Sequence, residues 1–185
     1  MNIVHFGGAQ GVGKTTVLRY LRQDLGERAD IELLFSSKEL GTLATKAYGK
    51  GLKALDSTET RQVQNLFMSD IRGLPYSTIL LDSHYVSVTQ GKVVALTPDE
   101  HVQAFNCHIV LEANPYTILG RRINDDRTKR VLDLPSIAGE IYEERNEAFR
   151  LAKQSGARIY IINAEGQVAK IAEAIKSILR NEFDI

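Results

Sequence analysis

The residues best suited to chemistry form one segment near the amino terminus, Gly8-Ala9-Gln10-Gly11-Val12-Gly13-Lys14-Thr15. The segment matches the pattern G-x-x-x-x-G-K-[ST], in which backbone N–H groups and a lysine surround the phosphates of a nucleotide. Its glycines let the backbone curl around an anion, and the amino end of the following helix adds positive potential. The sequence therefore predicts a phosphate-binding loop in which Lys14 bridges the β- and γ-phosphates.

A binding site for Mg²⁺ is predicted beside this loop. The hydroxyl of Thr15 suits a hard cation that prefers oxygen ligands. A second oxygen ligand is expected from Asp82, which ends the apolar run Ile79-Leu80-Leu81. Ligands of open α/β sheets bind outside the carboxyl ends of the strands, so Asp82 can hold Mg²⁺ through a water. The alternative is that Asp82 only opens a turn.

The elements around the loop predict an α/β fold of the P-loop NTPase class, with three layers and a five-stranded parallel sheet. Short apolar runs that alternate with helix-like sequence give five strands, at Ile3–Phe6, Ile31–Phe35, Thr78–Asp82, Cys107–Leu111 and Arg158–Ile162. Apolar residues at helical spacing directly after the loop indicate the first helix. They are Val17, Leu18, Leu21 and Leu25.

Composition excludes several classes of protein. The 185 residues are 43% hydrophobic and 25% charged, which is ordinary globular usage and predicts a single domain. Basic and acidic residues both number 23, so no general attraction for nucleic acid is expected. No apolar run approaches the roughly 18 residues of a membrane span, and no signal peptide is expected before the loop. The single cysteine, Cys107, lies in an apolar run and is interpreted as a core residue. A cytoplasmic location is the default expectation.

The segment 36–76 is longer than the dozen or so residues that a parallel crossover needs, and predicts a helical lobe inserted beside the phosphate loop. An apolar stripe indicates one helix of this lobe, and consists of Val63, Leu66, Phe67, Ile71 and Leu74. Other faces of that helix carry Arg61, Gln64, Met68 and Arg72, and a second substrate could lie there. The alternative is a solvated pair of helices.

Further charged residues suggest a lid at 121–135. A helix ending in Arg121-Arg122 is followed by the charged stretch 124–130. Phosphoryl transfer spreads negative charge over oxygens that arginine can clamp, so a catalytic lid is favoured over an ordinary solvated surface. In the next predicted helix, about 136–153, Arg145 falls on an apolar stripe made of Ala138, Ile141, Tyr142, Ala148 and Ala152. An arginine facing inward is expected to meet a carboxylate or a bound phosphate.

The region 85–96 and the four histidines lie outside the predicted phosphate loop and lid. The sequence from Tyr85 to Leu96 alternates and turns at Gln90-Gly91, which predicts a small hairpin or an extended loop. His84 is either a polar contact near the site or a surface residue. The other histidines, His5, His101 and His108, lack ligand-like spacing and are interpreted as structural.

These residues resemble the archaeal-type adenylate kinases, within the nucleoside monophosphate kinase group of P-loop proteins. The resemblance spans most of the chain and rests on several motifs. The first two are the loop 8–16 and Leu81-Asp82-Ser83-His84, the second of which is similar to the family's Asp-Thr-His. The others are Val110-Leu111-Glu112-Ala113-Asn114-Pro115 leading to Arg121, Asp125 and Arg130 in the lid, Arg145, and Asn163-Ala164-Glu165-Gly166.

The resemblance implies a kinase that uses ATP and Mg²⁺ to phosphorylate a nucleoside monophosphate. By that comparison, Lys14 and the loop from Gly8 to Thr16 hold ATP, and Thr15 and Asp82 serve Mg²⁺. Arg121 and Arg130 would stabilise the phosphoryl group in transfer, with Arg145 touching phosphate from the same side. The turn that begins at Asn163 would border the adenine. A homo-oligomer is implied by analogy alone.

The chain departs from the family's pattern mainly in the acceptor region. Ser36-Ser37 stands where the family has Gly-Asp, and its later Asp-x-Met-Arg segment is missing. The stretch 91–94 replaces the family's Gly-Tyr-x-Pro-Gly-x-Pro. In the lid, Thr128 stands where an arginine is usual, with Arg127 as a substitute.

Three functions follow from the sequence. The leading one is a nucleoside monophosphate kinase, most simply an adenylate kinase. The first alternative is a kinase of a hydroxyl-bearing small molecule or nucleoside, in which Asp82 acts as a base. The second is an ATPase that serves as a switch or assembly factor with a protein or ribonucleoprotein partner.

Overall fold

The chain alternates strands and helices around a five-stranded parallel sheet with strand order β2-β3-β1-β6-β7. The computed structural model describes residues 1–26, 30–89, 92–125 and 130–183, except for the side chain of Thr89. The strands of this sheet are β1 (Asn2–Gly7), β2 (Ile31–Phe35), β3 (Thr78–Asp82), β6 (Cys107–Glu112) and β7 (Arg158–Asn163). All five predicted strands are confirmed.

Six α-helices connect or flank these strands within the described residues: α1 (Lys14–Leu25), α2 (Ser36–Tyr48), α3 (Ser57–Arg72), α4 (Pro115–Ile123), α5 (Leu134–Ser155) and α6 (Val168–Phe183). Short 3₁₀ helices occupy Leu52–Ala54 and Asp99–Ala104. None of the described helices is long and apolar enough to cross a membrane.

The predicted hairpin is present as a separate antiparallel pair, β4 (Val86–Thr89) and β5 (Lys92–Ala95). Val86 lies opposite Ala95 and Thr89 opposite Lys92. The turn expected at Gln90-Gly91 lies outside the described residues.

The sheet is covered on both faces, as the three-layer prediction requires. One face packs against α1 and α6, where Leu18 and Ile175 are fully buried. On the other face, α3 contributes Phe67 and Ile71 to a cluster with strand residues such as Ile79. Burying each such side chain stabilises the fold by about 1.5–3 kcal/mol.

The buried face of α3 differs from the predicted stripe at Leu66 and Met68. Met68 is 4% exposed and packs against the sheet, whereas Leu66 is 47% exposed. The helix begins at a capping box in which Asp56 Oδ1 accepts from the N–H of Glu59, and Glu59 Oε2 accepts from the N–H of Asp56. Thus α3 serves both as part of the insert and as a cover for the sheet.

The strand register places Asp82 and the phosphate loop at the same edge of the sheet. Asp82, the last residue of β3, lies beside Phe6 of β1 on one side and Phe35 of β2 on the other. The phosphate loop follows β1 directly, so Asp82 and the loop share the carboxyl edge of the sheet.

Candidate active site

The phosphate loop has the backbone that its glycines predict. Gly8, Gly11 and Gly13 adopt φ values of 133°, 82° and 112°, which side chains rarely allow. At Gly8 space is limiting as well, because a Cβ would lie 2.3 Å from the carbonyl oxygen of Leu111. The loop ends at Gly13, the N-cap of α1, whose first residue is Lys14.

Lys14 lies inside the loop rather than in solvent. Its side chain is buried, and Nζ donates to the carbonyl oxygen of Gly8 at 2.5 Å. Burial lowers the pKa of Lys14, while the nearby carboxylates of Glu144 and Asp82 oppose that change. An anionic ligand on the loop would supply further compensating charge.

Two arginines of α4 hold the loop from its carbonyl side. Arg121 donates through Nη1 to the carbonyl of Val12, and through Nη2 to the carbonyl of Ala164 at 2.9 Å. Arg122 donates to the carbonyl of Gln10 through Nε at 2.9 Å and Nη2 at 2.7 Å. Arg121 therefore connects the phosphate loop to the turn that begins at Asn163.

Glu140 of α5 completes this support. Its Oε1 accepts from the N–H of Gln10 at 2.5 Å, and its Oε2 lies 2.6 Å from Nη2 of Arg122. The peptide groups on both sides of Gln10 are thus fixed by one ion pair. Sequence reasoning missed Glu140 and treated Arg122 only as a helix-end charge, because both act across more than a hundred residues from Gln10 in the chain.

Asp82 and Thr15 can provide oxygen ligands for Mg²⁺. Burial raises the pKa of Asp82, and the charges of Lys14 and His84 oppose the rise. Thr15, the second residue of α1, is exposed at the same edge of the sheet. One carboxylate and one hydroxyl beside a phosphate loop fit Mg²⁺, which usually takes few protein ligands and keeps waters and substrate phosphates.

A buried carboxylate that sequence reasoning missed lies between the start of the phosphate loop and the segment after β3. Glu144 of α5 is 1% exposed. Its Oε2 accepts from the N–H of Gly8 at 3.2 Å and from the N–H of Tyr85 at 3.0 Å, and its Oε1 lies 3.0 Å from Nδ1 of His84. The available signal was helical spacing, since Glu144 lies seven residues after Ile137 and four before Ala148, which are both buried.

Arg145 does not lie where the sequence predicts. Its side chain is 48% exposed, so the prediction of an inward-facing arginine is wrong, and Ala138 and Tyr142 of the predicted stripe are exposed too. The buried face of the helix keeps Ala148 and Ala152 of the predicted stripe but is displaced by less than one residue step of about 100°, which places Glu144 inside instead. Arg145 meets a carboxylate, as one alternative expected, because Nε donates to Oε1 of Glu112 at 2.5 Å.

The segment predicted as a lid is partly helical. Arg121 belongs to α4, and α5 begins at Leu134, before the expected end of the lid at 135. Arg130 pairs with Asp125 at 2.9 Å, and its charge contributes to the lowered pKa of Lys14. The expectations for Arg127 and Thr128 lie outside the described residues.

The remaining candidates lie on two other parts of the structure. Arg61 pairs with Glu100 at 2.6 Å, with both side chains about half exposed, and Gln64 donates to the carbonyl of Leu96 at 3.0 Å. Asn163 ends β7, where its Oδ1 accepts from the N–H of Glu165 at 2.8 Å. Arg61 and Gln64 thus join α3 to the segment after the hairpin.

A buried aromatic cluster lies against the end of β1, directly before the phosphate loop. The ring of His5 stacks on Tyr85, with centroids 3.9 Å apart, and on Phe105 at 4.8 Å. Tyr85 also lies against Gly7, where a Cβ would be 2.1 Å from the ring. Burial lowers the pKa of His108 to about 4, and the pKa of His5 lies well below its usual value for the same reason. Both histidines are interior residues of the sheet.

Solved structures share this architecture. Shikimate kinase from Bacteroides thetaiotaomicron is 13% identical, with a TM-score of 0.59 over 97% of this chain and 98% of that one. Shikimate kinase from Acinetobacter baumannii in complex with shikimate is 17% identical, with a TM-score of 0.57 over 99% and 96%. The tunicamycin resistance protein of Deinococcus radiodurans is 14% identical, with a TM-score of 0.59 over 96% and 95%.

The sheet order and the loop after β1 therefore define an α/β fold of the P-loop kinase type. The family model described as an AAA domain matches residues 7–136, more than half of the chain, and the protein belongs to that family. No curated protein sequence matches this chain. A specific likeness to archaeal adenylate kinases is not among these findings.

Proposed function

We propose that this protein is an ATP-dependent phosphotransferase whose acceptor is a small molecule carrying a hydroxyl group. The observation that carries the proposal is the group of side chains at the end of β3. The charges of Asp82 and the buried Glu144 act on the loop lysine, Lys14, where they oppose the lowering of its pKa by burial. The ring nitrogen Nδ1 of His84 lies 3.0 Å from Oε1 of Glu144. Carboxylates would repel an acceptor that is itself a phosphate, whereas a hydroxyl can donate to them.

The acceptor side of the insert supports the same choice. Arg61 is engaged with Glu100, and Gln64 with the carbonyl of Leu96, so both candidates already have partners within the protein. A monophosphate acceptor needs cationic donors for its phosphate, while a neutral hydroxyl compound does not. The fold-level likeness to kinases of small molecules is in keeping with this acceptor class.

The donor side is assigned to ATP and Mg²⁺. The loop amides from Gly8 to Thr16 and the ammonium of Lys14 would bind the triphosphate, and the turn at Asn163 would border the adenine. Mg²⁺, held by Thr15 and through water by Asp82, would neutralise charge on the phosphates. Arg130 would stabilise the phosphoryl group in transfer, because such transition states need positioning and positive charge more than covalent chemistry. Arg121, which donates to the carbonyls of Val12 and Ala164, would instead position the loop.

A nucleoside monophosphate acceptor is the second candidate, favoured by the run Leu81-Asp82-Ser83-His84 and its resemblance to the family's Asp-Thr-His. The two candidates give different products from labelled ATP. Transfer to a hydroxyl gives a phosphate monoester, and transfer to a monophosphate gives a nucleoside diphosphate.

The test is a screen with Mg²⁺ and γ-labelled ATP against sugars, cyclic polyols, nucleosides and the nucleoside monophosphates. We expect a labelled monoester from one hydroxyl compound and no transfer by Lys14→Ala under the same conditions. A labelled diphosphate from a monophosphate would reverse the choice of acceptor. Slow ATP hydrolysis that no acceptor stimulates would instead favour a switch or assembly factor.

A further inference from the structure

Glu144 links three elements through one buried carboxylate. Its Oε2 holds the N–H of Gly8 at the start of the phosphate loop and the N–H of Tyr85 after β3, at 3.2 and 3.0 Å. Its Oε1 lies 3.0 Å from Nδ1 of His84. A buried charge is costly unless such hydrogen bonds satisfy it, so the position of the carboxylate is closely constrained.

This contact determines which nitrogen of His84 can accept a hydrogen bond. A carboxylate only accepts, so Nδ1 of His84 carries the hydrogen in this contact, and in the neutral imidazole Nε2 keeps its lone pair. Among the residues that the structure describes, His84 Nε2 has no hydrogen-bond partner. The side chain of His84 is 31% exposed, whereas that of Glu144 is 1% exposed, so the histidine is accessible to a small molecule.

We infer that Glu144 is a positioning residue that fixes His84 as a hydrogen-bond acceptor for the substrate hydroxyl. The same carboxylate anchors Gly8, so the acceptor-side histidine and the phosphate loop share one rigid support. Pre-orientation of this kind lowers the entropy lost when the hydroxyl meets the phosphoryl group. The inference rests on the proposed function, because it assigns a residue contact to its acceptor.

The first experiment needs no acceptor. Protein labelled with ¹⁵N-histidine is examined by NMR at pH 8.5, with His84→Gln identifying the His84 signals by their loss. In the wild type, the hydrogen should be on Nδ1. In Glu144→Gln, the amide group can donate to Nδ1, so the hydrogen should move to Nε2, while Glu143→Gln on the same helix leaves the wild-type pattern. The same tautomer in wild type and Glu144→Gln would overturn the inference.

The second experiment uses the acceptor found by screening. The side-chain carbonyl introduced by Glu144→Gln can still accept the two backbone N–H groups, so the Kd for ATP should stay within about threefold. The kcat should fall at least about tenfold, as expected when a histidine loses its orienting carboxylate. Since Glu144 acts through His84, the double variant with His84→Gln should be no slower than His84→Gln alone.

Several outcomes would overturn the inference. The first is that the losses of kcat in Glu144→Gln and His84→Gln multiply in the double variant. The second is that Glu144→Gln loses as much ATP affinity as kcat. The third is that His84→Ala keeps the wild-type kcat and acceptor KM. The His84 variants keep the test decisive if Glu144→Gln does not fold, because His84 is partly exposed. If the wild type phosphorylates no hydroxyl compound, the proposed function fails, while the NMR result separately decides whether Glu144 sets the tautomer of His84.

Discussion

The buried Arg122 and the partly buried Glu140 form an ion pair, with Nη2 and Oε2 2.6 Å apart, that holds the Gln10 peptide groups of the phosphate loop from both sides. The side chain of Arg122 is 2% exposed, and its Nη1 also donates to the carbonyl of Val131 at 3.0 Å. The pair therefore joins α4, α5 and the segment before α5 to the loop. Its value lies in fixing loop geometry, since a buried ion pair alone adds little net stability.

Truncation of this pair should be strongly destabilising. Arg122→Ala leaves Glu140 without its cation and should lower the free energy of unfolding by about 3–5 kcal/mol. Urea denaturation measures the change. The comparison is Arg145→Ala, which removes a half-exposed arginine paired with Glu112 and should cost less than about 1 kcal/mol. Equal losses in the two variants would show that Arg122 is not a special support of the loop.

Gly8 should tolerate no side chain. Its φ of 133° and the 2.3 Å approach of a Cβ to the Leu111 carbonyl mean that Gly8→Ala must displace backbone on β6. We expect a loss of at least about 2 kcal/mol in stability, together with loss of ATP binding. Calorimetry with Mg-ATP and a thermal melt provide the two measurements.

The matched control for Gly8 is Gly139→Ala, in α5, where a Cβ would meet nothing within 4 Å. A helical glycine replaced by alanine should stabilise the protein by about 0.5–1 kcal/mol. If Gly8→Ala behaved like this control, the loop would not have the conformation described.

Local patterns in the sequence were enough to predict the sheet and the loop. Each strand is a short apolar run, and the glycine spacing of the loop depends only on neighbouring residues. Asp82 could be placed at the site because parallel strands end at a common edge. These predictions needed no knowledge of how the helices pack.

The support of the site could not be predicted in the same way. Glu144 and Arg145 are neighbours in sequence, but on a helix they point about 100° apart, and only the packing of α5 decides which is buried. The apolar residues chosen to set the helix phase included the exposed Tyr142, and the error moved the arginine inside. Partners such as Arg122 and Gln10 meet only after the chain has folded.

Acid should destabilise the protein through its buried histidines. Burial lowers the pKa of His108 to about 4 from 6.5, so the unfolded state binds more protons between these pH values. Stability is fully present above pH 6.5 and falls progressively as the pH decreases towards 4. For His108 alone the change amounts to about 3 kcal/mol, and His5, whose pKa is also lowered, adds to it in the same direction.

Urea denaturation at about pH 7 and about pH 4.5 measures this effect. In His108→Phe the difference in unfolding free energy between the two pH values should be smaller than in the wild type, because the contribution of His108 is gone and that of His5 remains. A substitution that left the difference unchanged would assign acid sensitivity to other groups.

Lys14 should be required for nucleotide binding but not for folding. Its ammonium is buried at a cost, so Lys14→Met should leave the melting temperature of the free protein equal or higher. The same variant should lose the thermal stabilisation that Mg-ATP gives the wild type, because the loop then lacks its cation. Stabilisation by Mg-ATP of the same size in both proteins would remove Lys14 from the proposed site.

Arg130 provides the most direct test of the segment proposed as a lid. It pairs with Asp125, and its charge reaches Lys14, so it lies near the proposed position of the triphosphate. Arg130→Ala should reduce kcat for phosphoryl transfer by about 10²–10³, because the transition state carries charge that the guanidinium would stabilise. The Kd for ATP should change much less, since loop amides and Lys14 supply most ground-state contacts.

Steady-state kinetics and calorimetry on the same preparation separate these effects, with Arg150→Ala on the surface of α5 as the control. A normal kcat in Arg130→Ala would make Arg130 a structural partner of Asp125 and remove it from the proposed catalytic site.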